Sequence, residues 1–185
     1  MRRKTLISIA GLAILGLFAF TAPSFAATKA ELNAGANEAV KHFYTLGSMN
    51  KELADKAAGI LIFPSVTKAG AGVAGEYGEG VLRVKGKTVD YYSTSSASVG
   101  ATLGVGSHSE MIMFMTQEAL DKFMKSNGWS VGADAAVSVM TQGAGGQYDT
   151  ASLGKPILGF VFSQKGLIGD LSLEGAKITK AKTKD

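Results

Sequence analysis

The chain has 185 residues, 24 of them glycine and none cysteine, with 19 Lys and Arg against 15 Asp and Glu. That length suits one domain with a sizeable core, and the missing cysteines exclude disulfides, thiolate metal sites and a lipidated cysteine. The formal net charge of +4 falls to +1 once Arg2, Arg3 and Lys4 are set aside, and Arg83 is then the one arginine left, so a global basic field for nucleic acid is excluded.

Those three basic residues begin a pattern expected of a secretory signal. The apolar stretch Leu6 to Phe20 comes next, and Ser24-Phe25-Ala26 before Ala27 fits a small-x-small cleavage site. The rival reading, a retained membrane anchor, is disfavoured by the shortness of the run and by Pro23 near its end. Residues 1–26 are therefore expected to be removed, leaving a periplasmic or secreted protein that is not a lipoprotein.

Thr28-Lys29-Ala30-Glu31 is a capping box, and Leu32, Ala36, Ala39, Val40, Phe43 and Leu46 then recur at helical spacing, which predicts a helix over Lys29 to Leu46 ended by Gly47. A short second helix is expected over Lys51 to Ala58. These elements make residues 27–57 an N-terminal helical segment.

The stretch from Gly59 to Lys85, GILIFPSVTKAGAGVAGEYGEGVLRVK, organises the remainder of the chain. It opens with an apolar strand, Ile60 to Phe63, which Pro64 is expected to stop, and continues as glycine-punctuated strands on either side of Gly78. Glycine at this density implies sharp bends or close backbone approaches, here expected against a second small-residue stretch, Gly100 to Gly106. Thr88 to Ser93 and Met111 to Met115 read as further strands. Gln117 to Ser126 reads as a helix capped by Thr116, and Trp129 to Met140 as a strand of small residues. The polar segment Thr141 to Lys155 is expected to be a long loop, mobile or functional, with Gly143, Gly145, Gly146, Tyr148 and Gly154 as its candidate mobile residues. Ile157 to Phe162, Leu167 to Leu173 and Ala176 to Lys180 complete the strands, and residues 181–185 form a basic tail. Helices and strands do not alternate regularly. The fold class is therefore α+β: a single domain with a curved, mostly antiparallel sheet or barrel-like sandwich of about 7–9 strands and about three flanking helices.

Catalytic constellations are weak. Gly70-Ala71-Gly72-Val73-Ala74-Gly75 matches the dinucleotide fingerprint in letters, but Glu76-Tyr77-Gly78-Glu79-Gly80 cannot supply the helix whose N-terminus would face a pyrophosphate. Ser65-Val66-Thr67-Lys68 matches the S-x-x-K of penicillin-interacting enzymes without their partner motifs. His42 and His108 are the two histidines, neither in a metal-binding pattern. His108 could pair with Glu110, but reads more simply as a solvated turn residue. Glu76 and Glu79, three residues apart, would point to opposite faces of a strand and make a poor acid/base pair. No cofactor, metal or nucleotide is expected. The basic residues Lys68, Arg83, Lys85 and Lys87 are the better candidates. If Arg83, Lys85 and Lys87 alternate along one strand they share a face, with Lys68 on a neighbour, and each would contribute about 1 kcal/mol at an anionic membrane.

Three ordered segments carry a resemblance. GILIFPSVTKAGAGVAGEYGEGVL, then YYSTSSASVGATLGVGSHSEMIMFMTQEALDKFMKSNGWSVGADAAVSV, then ILGFVFSQKGLIGDLSLEGAKI resemble the SYLF domain over about Ala58 to Ile178, placing a SYLF-like lipid-binding domain at residues 58–180. The family also includes eukaryotic actin-patch proteins. The resemblance implies lipid or membrane-surface binding without catalysis, and an exported protein would meet some anionic lipid in place of actin or phosphoinositides. The expected function is a non-catalytic binder of anionic lipid in the cell envelope, with no nucleic acid partner. The alternative is a structural or stress-related envelope protein acting through protein partners or self-association; the sequence names no protein partner.

Overall fold

Two very long strands carry most of the β structure, and the computed structural model describes residues 27–141, 153–166 and 173–185, without the side chains of residues 100–103. Strand β1 runs Gly59–Val84 and strand β2 runs Lys87–Phe114, antiparallel to each other along nearly their whole length. Lys85 and Gly86, both with positive φ (51° and 78°), form the tight turn between them, a conformation whose twist matches that of the flanking strands.

This ribbon is folded back on itself. Gly72 (φ 73°) marks the apex in β1, where the register against β2 shifts between Ala71 and Val73. A Cβ placed on Gly80 would lie 2.2 Å from the Ile62 carbonyl oxygen, one on Gly78 2.9 Å from the Ser65 oxygen, and one on Gly70 2.4 Å from the Ala74 Cα. The two halves of β1 therefore face each other at a separation that excludes any side chain at these points. The close approach expected of the glycines is thus mainly between two parts of the same strand. Gly70 does pair with Gly104, but in register across the ribbon.

The other strands lie along the far edge of β2. Its first half pairs with β6 (Lys177–Lys180) and its second half with β5 (Ile157–Gly166), both antiparallel. Short strand β3 (Trp129–Ser130) adds to β6, and β4 (Ser138–Thr141) adds parallel to β5. The result is a single-domain α+β fold around a curled, mostly antiparallel sheet, with six strands among the described residues.

Helix α1 (Lys29–Leu46) begins at Thr28 with both hydrogen bonds of the capping box in place and ends at Gly47, as its sequence predicts. Its buried stripe, Leu32, Ala36, Ala39 and Phe43, packs with Ile62, Val81, Met111, Met113 and Phe160 on one side of the sheet. The Phe43 ring sits 4.9 Å from that of Phe160 and 5.3 Å from that of Phe162. Helix α2 (Asn50–Lys56) starts slightly earlier than expected, because the buried Asn50 amide donates to the Phe43 carbonyl oxygen (2.6 Å) and ties the two helices together. Helix α3 (Gln117–Lys125) closes the opposite side: Thr116 caps it, and Phe123 meets Phe114 at 4.7 Å and Trp129 edge-on at 5.5 Å. Among the described residues, no helix is long and apolar enough to cross a membrane.

Several expected boundaries move. Pro64 does not end the first strand; it sits at a bulge, where the register of β1 against β2 shifts between Phe63 and Val66, and its carbonyl accepts a hydrogen bond from the Ser109 hydroxyl of β2 (2.8 Å). The strand expected over Met111 to Met115 is not separate: Met111 to Phe114 is the end of β2. Trp129 to Met140 is interrupted after Ser130, where Asp134 accepts from the Ser130 amide (2.6 Å) and Gly132 takes φ 89°. Gly143, Gly145, Gly146 and Tyr148 lie outside the described residues, as does most of Leu167 to Leu173; Gly154 is in an exposed turn before β5.

The folded ribbon makes a specific prediction. In denaturant unfolding, Gly80→Ala is expected to lower stability by about 2 kcal/mol or more, since overpacking against backbone cannot be relieved by a rotamer change. Gly75→Ala, where a Cβ meets open space, is expected to leave stability unchanged or raise it by roughly 0.5 kcal/mol.

Candidate functional site

The basic residues singled out by sequence do not form one patch. Lys68 is buried, and its Nζ lies 2.8 Å from Glu76 Oε1, with both side chains under one-tenth exposed. It belongs to the interior because it points into the fold of the ribbon, four residues before the apex, while Glu76 comes back to meet it four residues after. Arg83, Lys85 and Lys87 do not alternate along one strand either: Arg83 ends β1, Lys85 occupies the turn and Lys87 begins β2. Lys85 and Lys87 are exposed. Arg83 is half-buried, donating from Nη2 to the Asn33 carbonyl oxygen (3.3 Å), and its buried Nε has no hydrogen-bond partner. Burial pulls the pKa of its guanidinium below the ordinary value, against a smaller opposing effect of Tyr44. Asn33 is the hub here, since its side chain also accepts from the Thr88 hydroxyl (2.5 Å) and donates to the Tyr91 oxygen (2.9 Å). A cleft of about 290 Å³ beside this turn is lined by Tyr44, Asp55, Ile60, Arg83 and Lys85 among others.

The inside of the bend holds what sequence reading missed. His108 and Glu110, next-but-one neighbours on the same face of β2, are each only 2% exposed at the side chain, with His108 Nε2 2.8 Å from Glu110 Oε1. Ligand atoms of Glu76, His108 and Glu110 all lie within 4.8 Å of one another. Four ionisable side chains, Lys68, Glu76, His108 and Glu110, are thus buried in one region of the folded ribbon. Burial raises the pKa of the Glu110 carboxyl and the nearby Glu76 adds to that, while the hydrogen bond and charge of His108 work the other way. His108 is not a solvated turn residue: β2 carries straight through Ser107-His108-Ser109-Glu110, and alternation sends His108 and Glu110 inward together. The signal that could have found them is this two-residue spacing, together with Lys68 and Glu76 placed symmetrically about Gly72. Glu76 and Glu79 point to opposite faces as expected: Glu79 instead accepts from the Ala27 amide (2.9 Å) and the Tyr77 hydroxyl (2.8 Å).

The outside of the bend is apolar. Val73 and Val99, paired across the ribbon, are 61% and 87% exposed; Val105 is 68% and Tyr77 53% exposed. Ala69 and Ala71 are exposed beside them. Isolated exposed valines are ordinary, but a group on one tip is not. On the neighbouring strand Lys165, also exposed, pairs with Ser107, and Gly166 pairs with Gly106.

Removing one partner of a buried ion pair leaves the other charge unpaired, typically at a cost of about 3–5 kcal/mol. Lys68→Met and Glu76→Leu are each expected to destabilise strongly in equilibrium unfolding, and the double substitution to cost clearly less than the two single effects added together.

Comparison with known proteins gives one family. Its model, described as Ysc84, Las17-binding protein actin regulator, matches residues 95–185, which span most of β2 and everything after it. No curated protein matches the chain. The matched residues include His108, Glu110, Val99, Val105 and Lys165, whereas β1 and the basic turn lie before them. Residues 95–185, from the middle of β2 onward, thus match the Ysc84 family, the family of the SYLF domain.

Proposed function

We propose that this protein is a non-catalytic binder of anionic membrane surfaces in the cell envelope, and that it meets the membrane with the outer face of the ribbon's bend. The observation that carries this reading is the exposure of Val73 and Val99 at the bend, with Val105 close by on β2. Transfer of an exposed valine from water into an acyl-chain environment is worth roughly 1–2 kcal/mol, so two or three together suffice for reversible association. Lys165, beside the tip, adds about 1 kcal/mol where the headgroups are anionic.

The basic turn at Lys85 and Lys87 lies at the other end of the folded ribbon. Twelve residues of β1, Val73 to Val84, separate Gly72 from Lys85, roughly 40 Å of extended chain. It therefore makes no contact with a membrane that the apex has entered.

Export is the second part of the reading. Cleavage after Ala26 would convert the Ala27 amide into an ammonium, and its hydrogen bond to Glu79 (2.9 Å) into an ion pair beside the capped start of α1. The family's description names Las17 and actin, partners that an exported chain would not encounter. What carries over is a scaffold that binds, with lipid headgroups as the partner outside the cell interior.

Vesicle flotation tests this. The protein is expected to float with vesicles containing anionic phospholipid and less with purely zwitterionic ones. Val73→Asp with Val99→Asp should weaken association at least about tenfold, the equivalent of 1.4 kcal/mol, while Lys85→Glu with Lys87→Glu changes it little. Absence of flotation with either kind of vesicle would contradict the proposal.

A further inference from the structure

The buried cluster inside the bend has a property that the membrane reading does not use. Two carboxylates and an imidazole share one enclosed region, yet the fold leaves donor atoms there unengaged. His108 Nδ1 and Glu110 Oε2 are both buried and have no hydrogen-bond partner. An unpaired polar atom in the interior forfeits its hydration without compensation, about 1–3 kcal/mol apiece, so a fold that keeps two in one cluster calls for an occupant.

We propose that Glu76, His108 and Glu110 form a binding site for one divalent transition-metal ion of the zinc class, held inside the fold of the ribbon. The three side chains come from both strands and from both sides of the apex: Glu76 from the returning half of β1, His108 and Glu110 from the half of β2 that pairs with the outgoing half. An ion bound by all three clamps the bend shut. One ligand atom from each already lies within 4.8 Å of the others. Donors around a tetrahedral ion with bonds of about 2.0–2.1 Å stand roughly 3.3 Å apart, so side-chain rotation closes the set.

The donor types choose the ion. Calcium needs six to eight oxygens and magnesium retains several waters, neither of which three buried ligands provide. One imidazole nitrogen with two carboxylates is a set zinc accepts, with a fourth position left over. Lys68 is the built-in competitor, because its ammonium already holds one oxygen of Glu76 at 2.8 Å. Metal and ammonium therefore contend for the same carboxylate, and removing the lysine's charge should tighten metal binding.

Equilibrium dialysis of the purified protein against zinc chloride, with the metal counted by mass spectrometry, tests the site. One equivalent is expected, with a rise in Tm; His108→Gln should reduce it to less than about a tenth of an equivalent, and Lys68→Gln should lower the Kd. His42, the other histidine, is exposed, and His42→Ala should leave the stoichiometry unchanged. Should His108→Gln fail to fold, the visible spectrum of the wild-type protein with cobalt(II) decides: an intense four-coordinate band supports the site. No stoichiometric zinc, binding that survives in a folded His108→Gln protein, or a cobalt spectrum like that of the hydrated ion would each overturn the proposal.

Discussion

The structure depends on the close approach between the two halves of β1. Backbone of Gly78 and Gly80 lies directly on backbone of Ile62 to Val66, and no residue larger than glycine fits there. The conformational entropy that glycine costs in a strand is offset by the contact it permits, because the doubled ribbon brings Leu61, Phe63 and Leu82 into one core with the aromatic cluster of Phe114, Phe123 and Trp129. Helices α1 and α2 cover one side of the sheet and α3 the other. Without the bend there would be a long two-stranded hairpin, which is marginal alone in water.

Folding the ribbon also fixes where charge goes. Residues placed symmetrically about Gly72 meet, and so Lys68 finds Glu76. The inward face of β2 beside them carries His108 and Glu110. Such a polar interior has a large desolvation cost and contributes little net stability even when paired. Its retention points to a task, and occupancy by an ion is the task its unengaged donor atoms fit. The outward face of the same bend carries valines in place of charges, which is the reverse of what solubility alone would favour. One bend thus separates a buried polar cluster from an exposed apolar tip.

Much of this is legible in the sequence, and the failures share a cause. Helix α1 is readable because its capping box and apolar spacing are local signals, and α3 likewise from Thr116 and its inward stripe. The literal G-x-G-x-x-G resolves into strand on the strength of Gly78 and Gly80 beyond it. What sequence cannot supply is any contact created by the fold of the ribbon. Ser107-His108-Ser109-Glu110 reads as polar and hence as solvated, since the charges that make it an interior segment lie some 30 to 40 residues away. Lys68 groups with Arg83, Lys85 and Lys87 by charge, although burial separates it from them. Pro64 reads as a stop because nothing local says that β1 bulges there and continues.

The central claim is that the ribbon folds at Gly72 and presents the outside of that bend to membranes. The chain has no cysteine, so single cysteines at Val99 and at Lys87 can each carry an environment-sensitive fluorophore. With anionic vesicles, the label at position 99 is predicted to shift to the blue and to be quenched by lipids brominated in the acyl chain, while the label at position 87 stays in water. A label at position 87 that enters the bilayer while that at position 99 remains solvated would contradict the account.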